Sequence, residues 1–280
     1  MGRAAAHPPR THPCPSRRHR AVPGTRPAHH RGPGAHLQPL PRGPVGQVTA
    51  RLVFVHGAGA DGRVWQVQRL DFPDAVALDL PGHPEGEPLP TVDAYAEWVV
   101  GRFVERGWIG AVLVGHSMGG AVALGTALRA PELVGGLVLV ASGPRLRVHP
   151  RFLEGLVERP DATLDRFVDL WFGPQADTRT RERVREAVRR LGPHVLLQDL
   201  KACDAFDVTA QLGRVQSPTL VVAGEKDVLT PPDLSRELHA GIRGASLFVL
   251  PDAGHMLFLE RRRMFRDSVR TFLAGLPPRR

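Results

Sequence analysis

Cysteine is nearly absent from this chain: Cys14 and Cys203 are the only two in 280 residues. So low a count excludes a disulfide framework and a cysteine-based zinc site, and it suits a reducing compartment. No apolar run approaches the roughly 18 residues that a membrane-spanning helix needs. No apolar h-region follows the N-terminal arginines either, so a secretory signal is not expected. Residues 1–50 contain no Asp or Glu at all, but eight arginines. They therefore carry +8 of the net +9, which leaves residues 51–280 close to neutral. A basic body that would bind nucleic acid along its surface is thereby excluded. Tyrosine occurs once, at Tyr95.

Residues 1–47 read as a disordered tail rich in Pro and Arg. They hold ten of the 27 prolines and six of the 13 histidines, with no apolar periodicity to offset ordering entropy. Composition favours an inert tail or a start-site artefact, with the protein proper beginning near Val45 or Val48. A transit peptide, and a nonspecific polyanion-binding arm, are the other readings; no other nucleic-acid contact and no membrane contact is expected. The length and 42% apolar content of the chain allow a sizeable core.

From residue 48 the chain is orderly and reads as one domain, 48–280. Buried-strand patterns recur at Arg51–Val55, Ala75–Leu80, Ala111–Val114, Gly136–Ala141, Thr219–Ala223 and Ser246–Leu250. Helical patterns lie between them at Val64–Leu70, Thr91–Arg106, Gly120–Arg129 and about 232–240, and a closing helix runs from Phe258 to Leu273. That alternation predicts an α/β fold with a mostly parallel central sheet flanked by helices. Residues 142–217 break the rhythm with four helical patterns (150–158, 162–172, 178–191 and 193–202) and no strand. An insertion between two strands lands at the carboxyl edge of the sheet, so it reads as a lid.

Gly115-His116-Ser117-Met118-Gly119 joins a strand pattern to a helical one. Glycines two residues to either side allow a turn tight enough to push the serine hydroxyl out of the sheet edge. A serine needs a base and an acid to become a nucleophile. His255 follows the strand at 246–250, and Asp227 follows the strand at 219–223. The chain order Ser117, Asp227, His255 is the one such an elbow requires, with each residue just past the end of a separate strand.

These residues, together with His56-Gly57, Asp79-Leu80-Pro81-Gly82-His83, Gly224-Glu225-Lys226-Asp227 and Gly254-His255, resemble the α/β-hydrolase superfamily over about residues 50–275. One departure is that the chain enters the sheet at what the family counts as its third strand. The resemblance implies Ser117 as nucleophile, His255 as general base and then acid, and Asp227 as its orienting carboxylate. It implies an oxyanion hole from the backbone amides of Ala58 and Met118, with His56, Gly57, Gly115, His116 and Gly119 in support. His83 and His116 read as loop-supporting histidines, Cys203 as a buried lid residue, and Trp171-Phe172 as lid core ahead of substrate wall. Arg145, Arg147 and His149 read as a solvated face, with contact to a substrate carboxylate as the alternative.

No cofactor and no metal is expected. The expectation is a cytoplasmic serine hydrolase acting on a small carboxylic ester, lactone or thioester through an acyl-enzyme. Epoxide hydrolases and haloalkane dehalogenases carry aspartate where this chain has Ser117. Carbon–carbon bond hydrolases, acyltransferases and perhydrolases share the same triad and stay open, as does a small-molecule receptor on the same fold. The oligomeric state is left open.

Overall fold

The computed structural model describes residues 1–2 and 51–277; apart from its first two residues, the tail expected at 1–47, with Cys14 and the residues up to Ala50, lies outside the described residues. Among them, six strands form one sheet: β1 Leu52–Val55, β2 Val76–Leu78, β3 Ala111–His116, β4 Val134–Val140, β5 Thr219–Gly224 and β6 Ser246–Leu250. Their order is β2-β1-β3-β4-β5-β6, and every neighbouring pair is parallel. Parallel strands need crossovers, and the crossover helices cover both faces. β1, β3 and β5 are accordingly buried along their whole length. The last strand lies at the sheet's edge, and Ser246 and Phe248 on it are exposed.

The described residues form ten α-helices, the first eight between strands and the last two after β6: α1 Gln66–Asp71, α2 Val92–Arg106, α3 Met118–Arg129, α4 Pro150–Glu158, α5 Pro160–Asp169, α6 Thr178–Leu191, α7 Pro193–Asp204, α8 Pro232–Gly241, α9 Leu257–Glu260 and α10 Arg262–Ala274. Thr91 caps α2 by accepting from Ala94 N at 3.1 Å, as its residue type favours. Trp65 locks the first crossover into the core, stacked between Phe54 at 4.7 Å and Phe258 at 4.3 Å. None of the described helices is long and apolar enough to cross a membrane.

Element types agree with the sequence reading, while several boundaries differ. The helix after Ser117 begins at once, at Met118 rather than Gly120. The closing helix is two, because Arg261 leaves helical geometry (φ −125°, ψ 47°) between α9 and α10. The strand expected over 75–80 is only three residues long. Helices α4 to α7 fill the stretch between β4 and β5. In this insertion the basic helix α6 is tied to α5 by Arg189, whose guanidinium donates to both oxygens of Asp165.

The strand order places the ligand crevice. From β1 the chain steps to β2 on one side, then returns past β1 to β3 and continues outward the other way. Open α/β sheets bind ligands at the carboxyl ends of the strands where the order reverses. Here that point lies between β1 and β3, with Val55 paired to Gly115 at the end of the register. The loop after β1 and the turn after β3 therefore emerge side by side.

Candidate active site

Ser117 connects β3 to α3 with φ 54° and ψ −118°, a conformation that costs a residue with a side chain about 1–3 kcal/mol. The surroundings enforce it. Ser117 N donates to Val140 O at 2.9 Å, and the Ser142 hydroxyl donates to Ser117 O at 2.9 Å. The Ser117 hydroxyl makes no capping bond to the helix it precedes. The flanking glycines leave no alternative residue: a Cβ on Gly115 would lie 2.1 Å from Gly119 O, and one on Gly119 would lie 2.3 Å from His56 O.

Behind the serine, His255 and Asp227 form a buried pair. Nδ1–H of His255 donates to Oδ2 of Asp227 at 2.8 Å. Both residues are nearly inaccessible, His255 at 3% and Asp227 at 4% exposure. Asp227 is held at its other oxygen by the backbone N–H groups of Leu229 (2.9 Å) and Thr230 (3.0 Å). The Thr230 hydroxyl donates to Oδ2 at 2.7 Å. Burial pushes this carboxyl up, but the His255 ring and these donors outweigh burial and hold it below the usual carboxylate range. An ionised Asp227 fixes the His255 tautomer with its proton on Nδ1, leaving Nε2 as the available base.

Two further histidines are neutral struts. His56 Nε2 accepts from Leu80 N at 3.0 Å, while Nδ1–H donates to Gly57 O at 3.0 Å. Complete burial, with the neighbouring His83 adding to it, lowers its pKa to about 3. His116 donates from Nε2 to the carbonyl of His255 at 3.1 Å, so the residue before Ser117 steadies the loop that carries His255. Burial and the nearby His255 ring lower its pKa as well.

Gly57, Ala58, His116, Ser117 and His255 all line one cavity of about 210 Å³. Its remaining walls are mainly apolar, from Leu146, Phe152, Phe167, Trp171, Leu200 and Met256. Trp171 is thus core and wall at once. Arg147 and His149 also line the cavity, whereas the Arg145 guanidinium is engaged by both carboxylate oxygens of Glu237, one of them at 2.8 Å. Cys203 is buried and lines the cavity.

Three contributors escaped the sequence reading. Thr230 carried a local signal, since Asp227-Val228-Leu229-Thr230 can close an Asp turn on its own backbone. Glu260 accepts from Gly173 N at 2.9 Å and Gly254 N at 3.1 Å, which ties the insertion to the loop before His255. Asp199, on α7, accepts from Gly59 N across 140 residues of sequence, and no local pattern announces that. Replacing Thr230 with valine keeps the shape and removes one donor to Asp227. Stopped or steady-state kinetics should then show kcat falling about 3- to 10-fold, the equivalent of one hydrogen bond, with KM unchanged. An unchanged kcat would mean that the His255–Asp227 pair needs no such brace.

The comparisons with known proteins agree with this geometry. A model of the alpha/beta hydrolase family matches residues 52–267. A pimeloyl-[acyl-carrier protein] methyl ester esterase from Neisseria meningitidis serogroup A is 31% identical over 260 residues, covering 81% of this chain and 82% of that protein. A solved thermophilic esterase is 35% identical with a TM-score of 0.73, covering 80% of this chain and 90% of its own. A solved hydrolase from Pseudomonas aeruginosa PA01 is 28% identical with a TM-score of 0.74, covering 81% and 91%. With its parallel sheet, its strained serine turn between β3 and α3, and these likenesses, the chain belongs to the alpha/beta hydrolase family of enzymes.

Proposed function

We propose that the protein is a serine esterase that needs no cofactor and cleaves a small carboxylic ester through an acyl-enzyme. The observation that carries this reading is the convergence on one cavity of Ser117, with an uncapped hydroxyl on a strained turn, and of His255, with Nδ1 committed to a buried Asp227. His255 Nε2 takes the Ser117 proton as Oγ attacks the ester carbonyl. The tetrahedral oxyanion is met by the amides of Ala58 and Met118, each contributing about 3 kcal/mol in such sites. Collapse breaks the ester bond, and His255 returns the proton to the leaving alkoxide, releasing the alcohol. Water activated by the same Nε2 then attacks the acyl-enzyme and frees the acid and Ser117.

The insertion α4–α7 serves as the lid, and its apolar residues make an acyl wall for a chain of modest size. Relatives that act on the methyl ester of a carrier-bound pimeloyl group favour an ester over a lactone or carbon–carbon bond. Arg147 and His149 supply polar groups to the same cavity.

Hydrolysis of p-nitrophenyl acyl esters from C2 to C12, with a fluorophosphonate adduct mapped by mass spectrometry, tests the proposal. The expected result is turnover that peaks at short to medium chains, and an adduct on Ser117. An adduct without turnover would move the substrate to a lactone, a carbon–carbon bond or an acyl transfer. Neither adduct nor turnover would leave the receptor reading in its place.

A further inference from the structure

The insertion reaches into the core at one point, and no step described so far uses it. Asp199 on α7 is completely buried, and so are His83 and Tyr95. Asp199 Oδ2 accepts from Gly59 N at 2.8 Å and from His83 Nε2 at 2.8 Å. Its other oxygen, Oδ1, accepts from the Tyr95 hydroxyl at 3.1 Å. His83 also faces a carbonyl from its other nitrogen, Nδ1 donating to Pro81 O at 3.0 Å. With an acceptor at each ring nitrogen, the site favours the doubly protonated ring of His83. Burial works against that charge, and Asp199 outweighs it.

Gly59 is the residue after Ala58, in the loop that follows β1. The turn over 57–60 is closed by Ala60 N donating to Gly57 O at 3.3 Å, a long bond for an N–H to carbonyl pair. Gly59 itself has φ 63°, a conformation of high freedom for glycine. A loop with a weak closing bond and a permissive glycine does not hold a fixed orientation by itself. The insertion supplies the constraint from outside: Leu196 presses on Gly59, 2.9 Å from where a Cβ would stand, and Asp199, one turn later on the same helix, takes the Gly59 N–H.

We propose that Asp199 is a positioning residue that holds the oxyanion loop in its working geometry from the helical insertion, with His83 as its counter-ion. Oδ2 fixes the peptide plane between Ala58 and Gly59, and with it the torsion beside the Ala58 amide. Such control matters most when charge develops on the substrate oxygen, because a donor misaimed by a fraction of an ångström is worth much less there. The inference rests on the assignment of Ala58 as an oxyanion donor.

The experiment compares Asp199→Ala, Asp199→Asn and Tyr95→Phe with the wild type on the best p-nitrophenyl ester, with Ser117 labelling as a check on the nucleophile. Asp199→Ala is expected to lower kcat about 30- to 100-fold and to move KM less than 3-fold. The Ki of a trifluoromethyl ketone, whose hemiketal oxygen occupies the hole, should weaken by the same factor as kcat/KM. Asp199→Asn keeps an acceptor for Gly59 N and should recover activity to within about 5-fold of wild type. Tyr95→Phe removes the bond to Oδ1 and the acceptor of Leu89 N but leaves the Oδ2 bond to Gly59 N in place, so it should lower the melting temperature and leave kcat within 2-fold.

Parallel losses of kcat in Tyr95→Phe and Asp199→Ala at matched loss of stability would make the network structural and overturn the proposal. So would an Asp199→Ala enzyme with wild-type kcat and inhibitor affinity. A wild type that neither turns over esters nor labels at Ser117 would instead overturn the esterase reading itself.

Discussion

Replacing Ser117 with alanine is expected to lower kcat/KM for a p-nitrophenyl ester by about 10⁴- to 10⁶-fold and to abolish fluorophosphonate labelling. Removing the nucleophile removes the covalent route, and the cavity and amide donors alone sustain only a small residue of catalysis. The same position offers a second, opposite readout. Ser117 sits at φ 54° and ψ −118° because Gly115, Gly119 and the bonds to Val140 and Ser142 leave it nowhere else to go. Alanine keeps the Cβ and so keeps the strain. Glycine relieves about 1–3 kcal/mol of it while losing about 0.5–1 kcal/mol through greater freedom in the unfolded chain. Ser117→Gly should therefore be as inactive as Ser117→Ala but melt about 2–4 °C higher. Equal melting points for the two variants would show that the turn is not a reservoir of strain. Retained turnover in Ser117→Ala would remove the nucleophile assignment altogether.

Much of this architecture was legible in the sequence because its signals are local. Runs such as Ala111-Val112-Leu113-Val114 can be satisfied only inside a sheet covered on both faces, and β3 is buried throughout. The elbow announces itself through two glycines whose missing side chains the fold needs. Ser117, Asp227 and His255 stand out in the sequence because each lies just past the end of a separate strand, and strand ends are where a parallel sheet gathers its chemistry. What stayed hidden depends on contacts between distant segments. Nothing around Asp199 distinguishes it from the other acids of the insertion, such as Asp165 and Asp169 on α5 facing the arginines of α6. Only the packing of α7 against the 57–60 turn takes it out of water. Glu260 is similar: its worth comes from Gly173, 87 residues away. The break at Arg261 also escaped notice, since residues 257–274 look uniformly helical until α9 must turn with the core around Phe258.

Stability is expected to fall on mild acidification, and the histidines decide where. His56 has a folded pKa of about 3 against roughly 6.5 in an unfolded chain. As pH falls below 6.5 the unfolded state binds a proton that the folded state refuses, so the folded state loses ground until the pH nears the folded value. His116 acts in the same direction, its ring enclosed by Trp65, His255 and Phe258. Each refused proton costs about 1.4 kcal/mol per pH unit, so the His56 ring alone takes away about 2.5 kcal/mol between pH 6.5 and 4.5, and His116 adds to that loss. That is a large fraction of the whole stability of many domains. His83 has the opposite sign: its folded pKa is raised, so its contribution is complete below pH 6.5 and fades as pH rises through the folded value. It therefore cannot offset the acid loss, and it adds a separate alkaline decline. Asp227, with its lowered pKa, contributes fully above about pH 4 and weakens only in stronger acid, after the histidines have acted. Urea midpoints across pH 4.5–9 should trace a dome whose acid side falls steeply below pH 6.5. Calorimetry in buffers of different ionisation enthalpy should show protons taken up on unfolding near pH 5, about one of them by His56. A stability profile flat from pH 6.5 to 5 would show that His56 and His116 accept protons where they stand, and the two struts beside the Ser117 turn would then be charged.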